Sequence, residues 1–215
     1  MLRLSAVNLL LVGVLLLNLF MLGTSRIRGL IQAAALQGVL LGGLLLLMGH
    51  SSGANTALLA IASVVLKFSL IPRMLRRALR EAQIKREIEP LIGFVPTMLL
   101  GAAGTLLSIA FASGLPLRPE HQELLIVPAS FSTVVTGFIL LTTRIKAITQ
   151  AIGYLVLENG IFIFGMLLVD AMPFLVEIGV LLDLFVGIFV VSIIIHHIHR
   201  EFASLDTRHL ASLKE

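Results

Sequence analysis

The chain has 215 residues, of which 58% are apolar and 13% are charged, a composition far more apolar than that of soluble domains. It contains no cysteine, which excludes a thiolate metal site, a protein-ligated iron–sulfur cluster, a disulfide and a cysteine nucleophile. The net charge of +4 does not indicate nucleic-acid binding, because the basic residues stand beside apolar runs, where membrane topology accounts for them.

Apolar runs of about the 20 residues that cross a roughly 30 Å hydrocarbon core follow one another along the chain. They cover residues 4–23, 29–49, 56–73, 91–113, 123–142, 148–169 and 174–195. The first run is longer than the core of a signal peptide, so we expect it to be retained. The pattern predicts an all-α integral membrane protein with about seven transmembrane helices.

The basic residues predict the orientation of these spans. Thirteen of the 16 lysines and arginines follow the first, third, fifth and seventh spans. Arg3 and Arg118 lie on the opposite side, and Lys67 lies within a span. The positive-inside rule then predicts a multi-pass protein of the cytoplasmic (inner) membrane, with its N-terminus outside and its C-terminus in the cytoplasm.

A weak internal repeat divides the chain. The string TSRIR at 24–28 matches TTRIK at 142–146, and a Gln-Ala pair follows each string at the same offset of 118 residues. The match predicts a parallel repeat of two three-helix units. The predicted parts are an N-terminal unit with a basic cytoplasmic helix (1–90), a linking helix with an outer loop (91–122), and a second unit with a cytoplasmic tail (123–215).

The most polar segment, 73–90, predicts an amphipathic helix at the membrane surface. Four arginines between positions 73 and 80 recur at helical spacing opposite Leu75 and Leu79. Snorkelling and attraction to anionic lipid are one interpretation. Docking of a cytoplasmic partner is the alternative.

Three ionisable residues lie near the middle of predicted spans, where a charge costs roughly 2.5 to 3.5 kcal/mol even on a lenient scale. Glu158, Asp183 and Lys67 each stand about 15 Å from a span end, so they share one depth. Lost hydration favours a neutral carboxyl and a nearby lysine favours a charged one, and together they leave a proton that exchanges near neutral pH. The three residues predict a proton relay. The alternative is a buried ion pair that holds helices in register.

The ends of the last predicted span carry further titratable groups. Glu177 lies near the outer end, as a solvated residue or a point of proton uptake or release. His196 and His199 lie one turn apart at the inner end, where they suit headgroup contact or a cytoplasmic proton relay. We expect no metal site there, because neither a carboxylate nor a cysteine completes one. The chain has no phosphate-binding loop, no triad arrangement and no Gly-rich nucleotide fingerprint.

From Arg144 onward the chain resembles the small K subunit of bacterial complex I and its Mrp antiporter counterpart. The resemblance rests on a basic inner loop, Glu158 in the next span, Asp183 with a glycine four residues later, and a His/Arg helix end at 196–200. The family acid in the last span is commonly Glu, so Asp183 shortens the reach by one carbon.

The whole chain resembles the hydrogenase-4 component E family through its additional N-terminal spans and the strings LENGIF (157–162) and PFLVEIGVLLD (173–183). The resemblance implies a non-redox membrane-arm subunit of a formate hydrogenlyase-like or related group 4 NiFe-hydrogenase complex, beside antiporter-like subunits. The nickel–iron and iron–sulfur centres then belong to partner subunits, and this chain holds no cofactor. Glu158 and Asp183 become the paired acids of a lateral proton path, and Lys67 has no counterpart in the shorter subunit.

Two other functions stay open at this point. The chain is a scaffold that joins larger membrane subunits, with its acids in ion pairs, or it is an independent transporter of small ions or solutes. The repeat favours a transporter, whereas the lack of obvious broken helices at the midplane argues against one.

Overall fold

The computed structural model describes residues 2–48, 71–81, 88, 90–116 and 125–168, with scattered positions between 178 and 192. The helices of this part are α1 (Leu2–Gly23), α2 (Ile27–Met48), α3 (Ile71–Glu81), α4 (Phe94–Ser113), α5 (Ile126–Thr143) and α6 (Ala147–Gly165), and a 3-10 turn (Met166–Leu168) follows α6. All of them except α3 are long and apolar enough to cross a membrane. The predicted helical membrane protein is therefore confirmed for the described residues.

The first, second, fourth, fifth and sixth predicted spans match α1, α2, α4, α5 and α6 to within a few residues. α4 begins at Phe94 rather than at residue 91, because the backbone of its N-cap, Gly93, is extended (φ −55°, ψ 158°) and Leu91 before it donates a hydrogen bond to the Thr143 carbonyl at the end of α5. The third predicted span (56–73) and the seventh (174–195) lie largely outside the described residues.

Two prolines lie in the first turn of a helix. Pro96 and Pro128 are the third residues of α4 and α5. The amide N–H that proline lacks has no helical acceptor at these positions, so no hydrogen bond is lost. α4 and α5 therefore run on uninterrupted from their prolines.

Two helical hairpins form the centre of the described bundle. α1 packs on α2 and α5 packs on α6, while α1 also contacts α5 and α2 also contacts α6. α4 lies at the edge against α1 and α5, and several of its large side chains are exposed, among them Leu99, Leu106 and Leu107 at 66 to 71%. An exposed apolar face of this kind is suited to hydrocarbon rather than water.

The amphipathic helix predicted over 73–90 is confirmed for residues 73–81, which belong to α3, whereas most of the remainder lies outside the described residues and the location at the membrane surface stays a prediction. Leu75 and Leu79 are buried against the bundle, whereas Arg73, Arg76 and Arg77 are exposed. This helix packs against α2, which places its basic side away from the bundle.

α5 and α6 approach each other almost backbone to backbone. A Cβ atom on Gly137 would lie 2.5 Å from the backbone nitrogen of Leu157, and one on Gly160 would lie 2.6 Å from that of Val134. A Cβ on Gly153 would lie 2.8 Å from the backbone nitrogen of Leu141. Glycine is therefore required at three levels along this helix pair.

A short connecting segment ties the two hairpins together at one end of the bundle. The Ile88 amide donates to the Ser25 carbonyl and the Leu91 amide donates to the Thr143 carbonyl, each over 2.8 Å. Pro90 forms an isolated bridge with Arg144. The loops after α1 and after α5 are thus held by neighbouring residues of one segment.

Candidate functional site

Glu158 is the predicted relay residue that falls within the described part of the chain. It lies eleven residues after the start of α6, about 16 Å along the helix at 1.5 Å per residue, and is 7% exposed. Its side chain is therefore buried within the bundle. Asp183, Lys67, Glu177, His196 and His199 lie outside the described residues, so their roles stay predictions.

The turn that carries Glu158 belongs to a polar layer between two apolar layers. One apolar cluster gathers Met21 and Leu22 of α1 with residues of α2, α5 and α6, and a second gathers Val7 and Leu11 of α1 with residues of the same three helices. Between the two clusters, each helix contributes at least one buried polar side chain. Four of them bond to one another: Asn18 of α1, Gln37 of α2, Thr133 of α5 and Asn159 of α6.

These four side chains form one continuous series of hydrogen bonds, which we call the amide chain. Asn159 Nδ2 donates to Gln37 Oε1 over 3.1 Å, and Gln37 Nε2 donates to Asn18 Oδ1 over 2.9 Å. Asn18 Nδ2 donates to Thr133 Oγ1 over 2.9 Å, and Thr133 donates to the Ala129 carbonyl over 2.6 Å. All four residues are at most 2% exposed. Polar groups at this depth are stable because they bond to one another.

Glu158 differs chemically from the amide chain beside it. Asparagine, glutamine and threonine side chains offer hydrogen bonds but do not ionise in the physiological pH range, whereas a carboxyl group is an acid that can bind and release a proton. Asn159 also borders a cavity of about 20 Å³ between α2, α3 and α6, which is room for about one water molecule. The arrangement therefore places an ionisable group at Glu158 beside a hydrogen-bonded core.

Arg144, predicted as a basic residue of an inner loop, is fully buried. Its Nη2 donates to the Leu22 carbonyl over 2.8 Å, and the guanidinium lies 4.9 Å from the centre of the Phe94 ring. The carbonyl end of α1 and the ring face both favour a cation. Nε and Nη1 find no hydrogen-bond partner among the described residues, and burial lowers the pKa of this guanidinium. Arg144 anchors the α5–α6 hairpin to α1.

The described residues contain no group of three metal-ligating side chains of the His, Cys, Asp or Glu type.

Sequence reasoning missed Asn18 and the burial of Arg144. Asn18 lies about 8 Å from the end of α1, so a search for polar residues at mid-span passes over it. The spacing of Gln37 and Asn159 along the chain likewise does not reveal that they bond to each other. The signal that could have found Asn18 is that each of these four helices carries a polar residue between apolar turns.

The chain is similar along nearly its whole length to a protein of Mycobacterium tuberculosis strain H37Rv, described as uncharacterized protein Rv0085. The two are 30% identical over 206 residues, which cover 94% of this chain and 93% of the relative. The chain belongs to the family of that protein. No family model and no solved structure matches the chain. The match covers nearly the full length of both chains rather than one segment.

Proposed function

We propose that this chain is a non-redox membrane-arm subunit of a hydrogenase-type, complex I-related complex, and that it relays protons through Glu158. The observation that carries the proposal is a carboxyl group buried midway along a membrane-length helix, next to a hydrogen-bonded polar layer. A buried ionisable residue at membrane depth is costly, and such residues commonly mark ion and proton pathways.

The proposal includes the parts predicted from sequence. Asp183 is the second acid of the path and Lys67 its charge partner, while Glu177, His196 and His199 serve uptake or release of protons. Antiporter-like subunits are the neighbours in the membrane, and the nickel–iron and iron–sulfur centres belong to partner subunits. The protein lies in the inner membrane with its N-terminus outside and its C-terminus in the cytoplasm.

Seven spans in two parallel three-helix units complete the proposed architecture. The repeat is supported by the segment that ties the hairpins together. The Ser25 and Thr143 carbonyls, which accept hydrogen bonds from Ile88 and Leu91, are separated by the same 118 residues as the two matching strings. Equivalent positions of the two units thus meet one connecting segment.

The test replaces Glu158 by glutamine and, separately, Asp183 by asparagine in the complex purified from native membranes. Glutamine keeps the shape of the side chain but holds no exchangeable proton, so we expect normal assembly on a native gel. Proton movement per turnover in sealed vesicles should fall by about tenfold or more. Glu81→Gln is the matched control, because it makes the same chemical change at the end of α3, outside the membrane-length helices.

An unchanged ratio of protons moved per turnover in Glu158→Gln would make the acid structural and would favour the scaffold function. Isolation of the full chain from native membranes without hydrogenase-type subunits would contradict the proposed partners. The transporter alternative receives no support from α1, α2, α4, α5 or α6, which are continuous helices, whereas many transporters bind their substrates at broken ones.

A further inference from the structure

The hydrogen bonds of the amide chain all run in one direction. The Thr133 hydroxyl donates its proton to the Ala129 carbonyl of its own helix, so towards α1 the Thr133 oxygen can only accept. Asn18 must therefore turn its amino group to Thr133 and its oxygen to Gln37. Gln37 must in turn direct its oxygen at Asn159, which donates to it. A single hydroxyl on α5 thus determines the orientation of an amide on α6.

We infer that Thr133, Asn18 and Gln37 are positioning residues for Glu158, acting through Asn159. Asn159 follows Glu158 directly in α6, so the bond from Asn159 to Gln37 holds the turn of helix that carries the acid. The inference rests on the proposed function, since the exact placement of this carboxyl matters only where it exchanges a proton.

The glycine contacts show why a positioning device is needed at this turn. Gly160 lets the α6 backbone touch the α5 backbone at Val134, one residue after Thr133. Glycine contacts bring the two helices together but are not directional. They therefore leave α6 able to rotate about its axis or to slide along α5. The hydrogen bond from Asn159 to Gln37 of α2 on the other side supplies that direction, because it forms at only one rotation and one height.

Directional bonds of this kind also keep the proton at the acid. No group of the amide chain can take up a proton and pass it on near neutral pH. The chain therefore transmits orientation from α5 to α6 and conducts no proton in the opposite direction.

The first test uses Thr133→Val, which keeps the shape of the side chain and removes the hydroxyl. In the full chain in lipid vesicles, the infrared band of the protonated Glu158 carboxyl is assigned by its loss in Glu158→Gln. We expect Thr133→Val and Gln37→Leu to shift or broaden this band, and Thr133→Ser to restore it. Thr97→Val is the matched control, because Thr97 is equally buried and its hydroxyl also donates to a carbonyl four residues earlier.

The second test measures the position of α6 independently of Glu158. Since the chain has no cysteine, Leu16→Cys and Ile161→Cys place spin labels at two sites only, on exposed positions of α1 and α6. The distance between the labels should broaden or shift in Thr133→Val and stay as in the parent chain in Thr133→Ser and Thr97→Val.

The outcomes separate this inference from the proposed function. A band and a distance that both stay unchanged in Thr133→Val overturn the inference, and so does a changed distance with an unchanged band. A purely structural role would lower the yield of folded chain and leave the band in place in the molecules that fold. If the Glu158→Gln variant moves protons normally, the proposed function is wrong. The label distance in Thr133→Val still tests the positioning inference on its own, because an unchanged distance contradicts it.

Discussion

Replacing Gly137 by alanine is expected to prevent normal closure of the α5–α6 hairpin. The added Cβ would lie 2.5 Å from the backbone nitrogen of Leu157 and 2.7 Å from its Cα, so the α6 backbone would have to move. Overpacking of this kind costs about 1 to 3 kcal/mol, and we expect the upper end because backbone atoms cannot rotate aside. The thermal midpoint of the purified full chain in detergent should fall, with most of the chain lost from the folded peak in size-exclusion chromatography.

Gly43→Ala is the matched control for this substitution. It makes the same change inside a membrane-length helix, but its Cβ would meet only Leu10 Cδ1 at an ordinary 3.6 Å. We expect it to be neutral or to stabilise the chain by up to about 1 kcal/mol through helix propensity. Equal melting of Gly137→Ala and Gly43→Ala would contradict the close approach of α5 and α6.

The second large effect is expected from Arg144→Glu. A glutamate at this position would place a negative charge beside the Leu22 carbonyl at the negative end of α1 and against the face of Phe94. An uncompensated buried charge costs about 3 to 5 kcal/mol, so the two hairpins should separate. Arg144→Lys should give an intermediate loss, because lysine keeps the charge but lacks the planar group that stacks on the ring.

Arg28→Glu serves as the control for Arg144→Glu, because both variants reverse one charge in a predicted inner segment and alter the topology signal equally. Arg28 is exposed in the first turn of α2, where a carboxylate suits the helix dipole. Thermal midpoints of the two variants in the same detergent give the comparison. A similar loss in both would mean that topology, rather than the buried anchor, sets the effect.

The helices could be predicted because their cause is local. A run such as 4–23 must become a helix in lipid, where each backbone amide has to be bonded within its own segment, and α1 at Leu2–Gly23 matches it closely. The amphipathic α3 was predictable for the same reason, since its arginines and leucines separate at helical spacing. The starting residue of α4 was not predictable, because the segment before it pairs with residues distant in sequence, Pro90 with Arg144 and Leu91 with Thr143.

The candidate site was likewise predictable only where its features depend on local sequence. Glu158 was found from its depth and charge, which follow from position within one span. The hydrogen bonds of Asn159, the residue after Glu158, were not predicted. Asn159 and its partner Gln37 are 122 residues apart, and Gln37 contacts Asn18 only because α1 and α2 form a hairpin. Arg144 was interpreted only as a residue that sets membrane topology, because nothing in the sequence around it indicates that its guanidinium contacts Leu22 and Phe94.

The sequence by itself determined that this is a helical membrane protein, where five of its spans lie, and that Glu158 is a costly group at mid-depth. These properties depend on the free energy of transferring each segment into lipid, which is a sum over residues that are neighbours in the chain. Only the tertiary structure decided that four helices share one polar layer, that a threonine on α5 orients an amide on α6, and that Arg144 is buried. Those properties depend on which helix faces meet, and between helices in lipid that choice is made by glycine contacts and hydrogen bonds rather than by hydrophobicity.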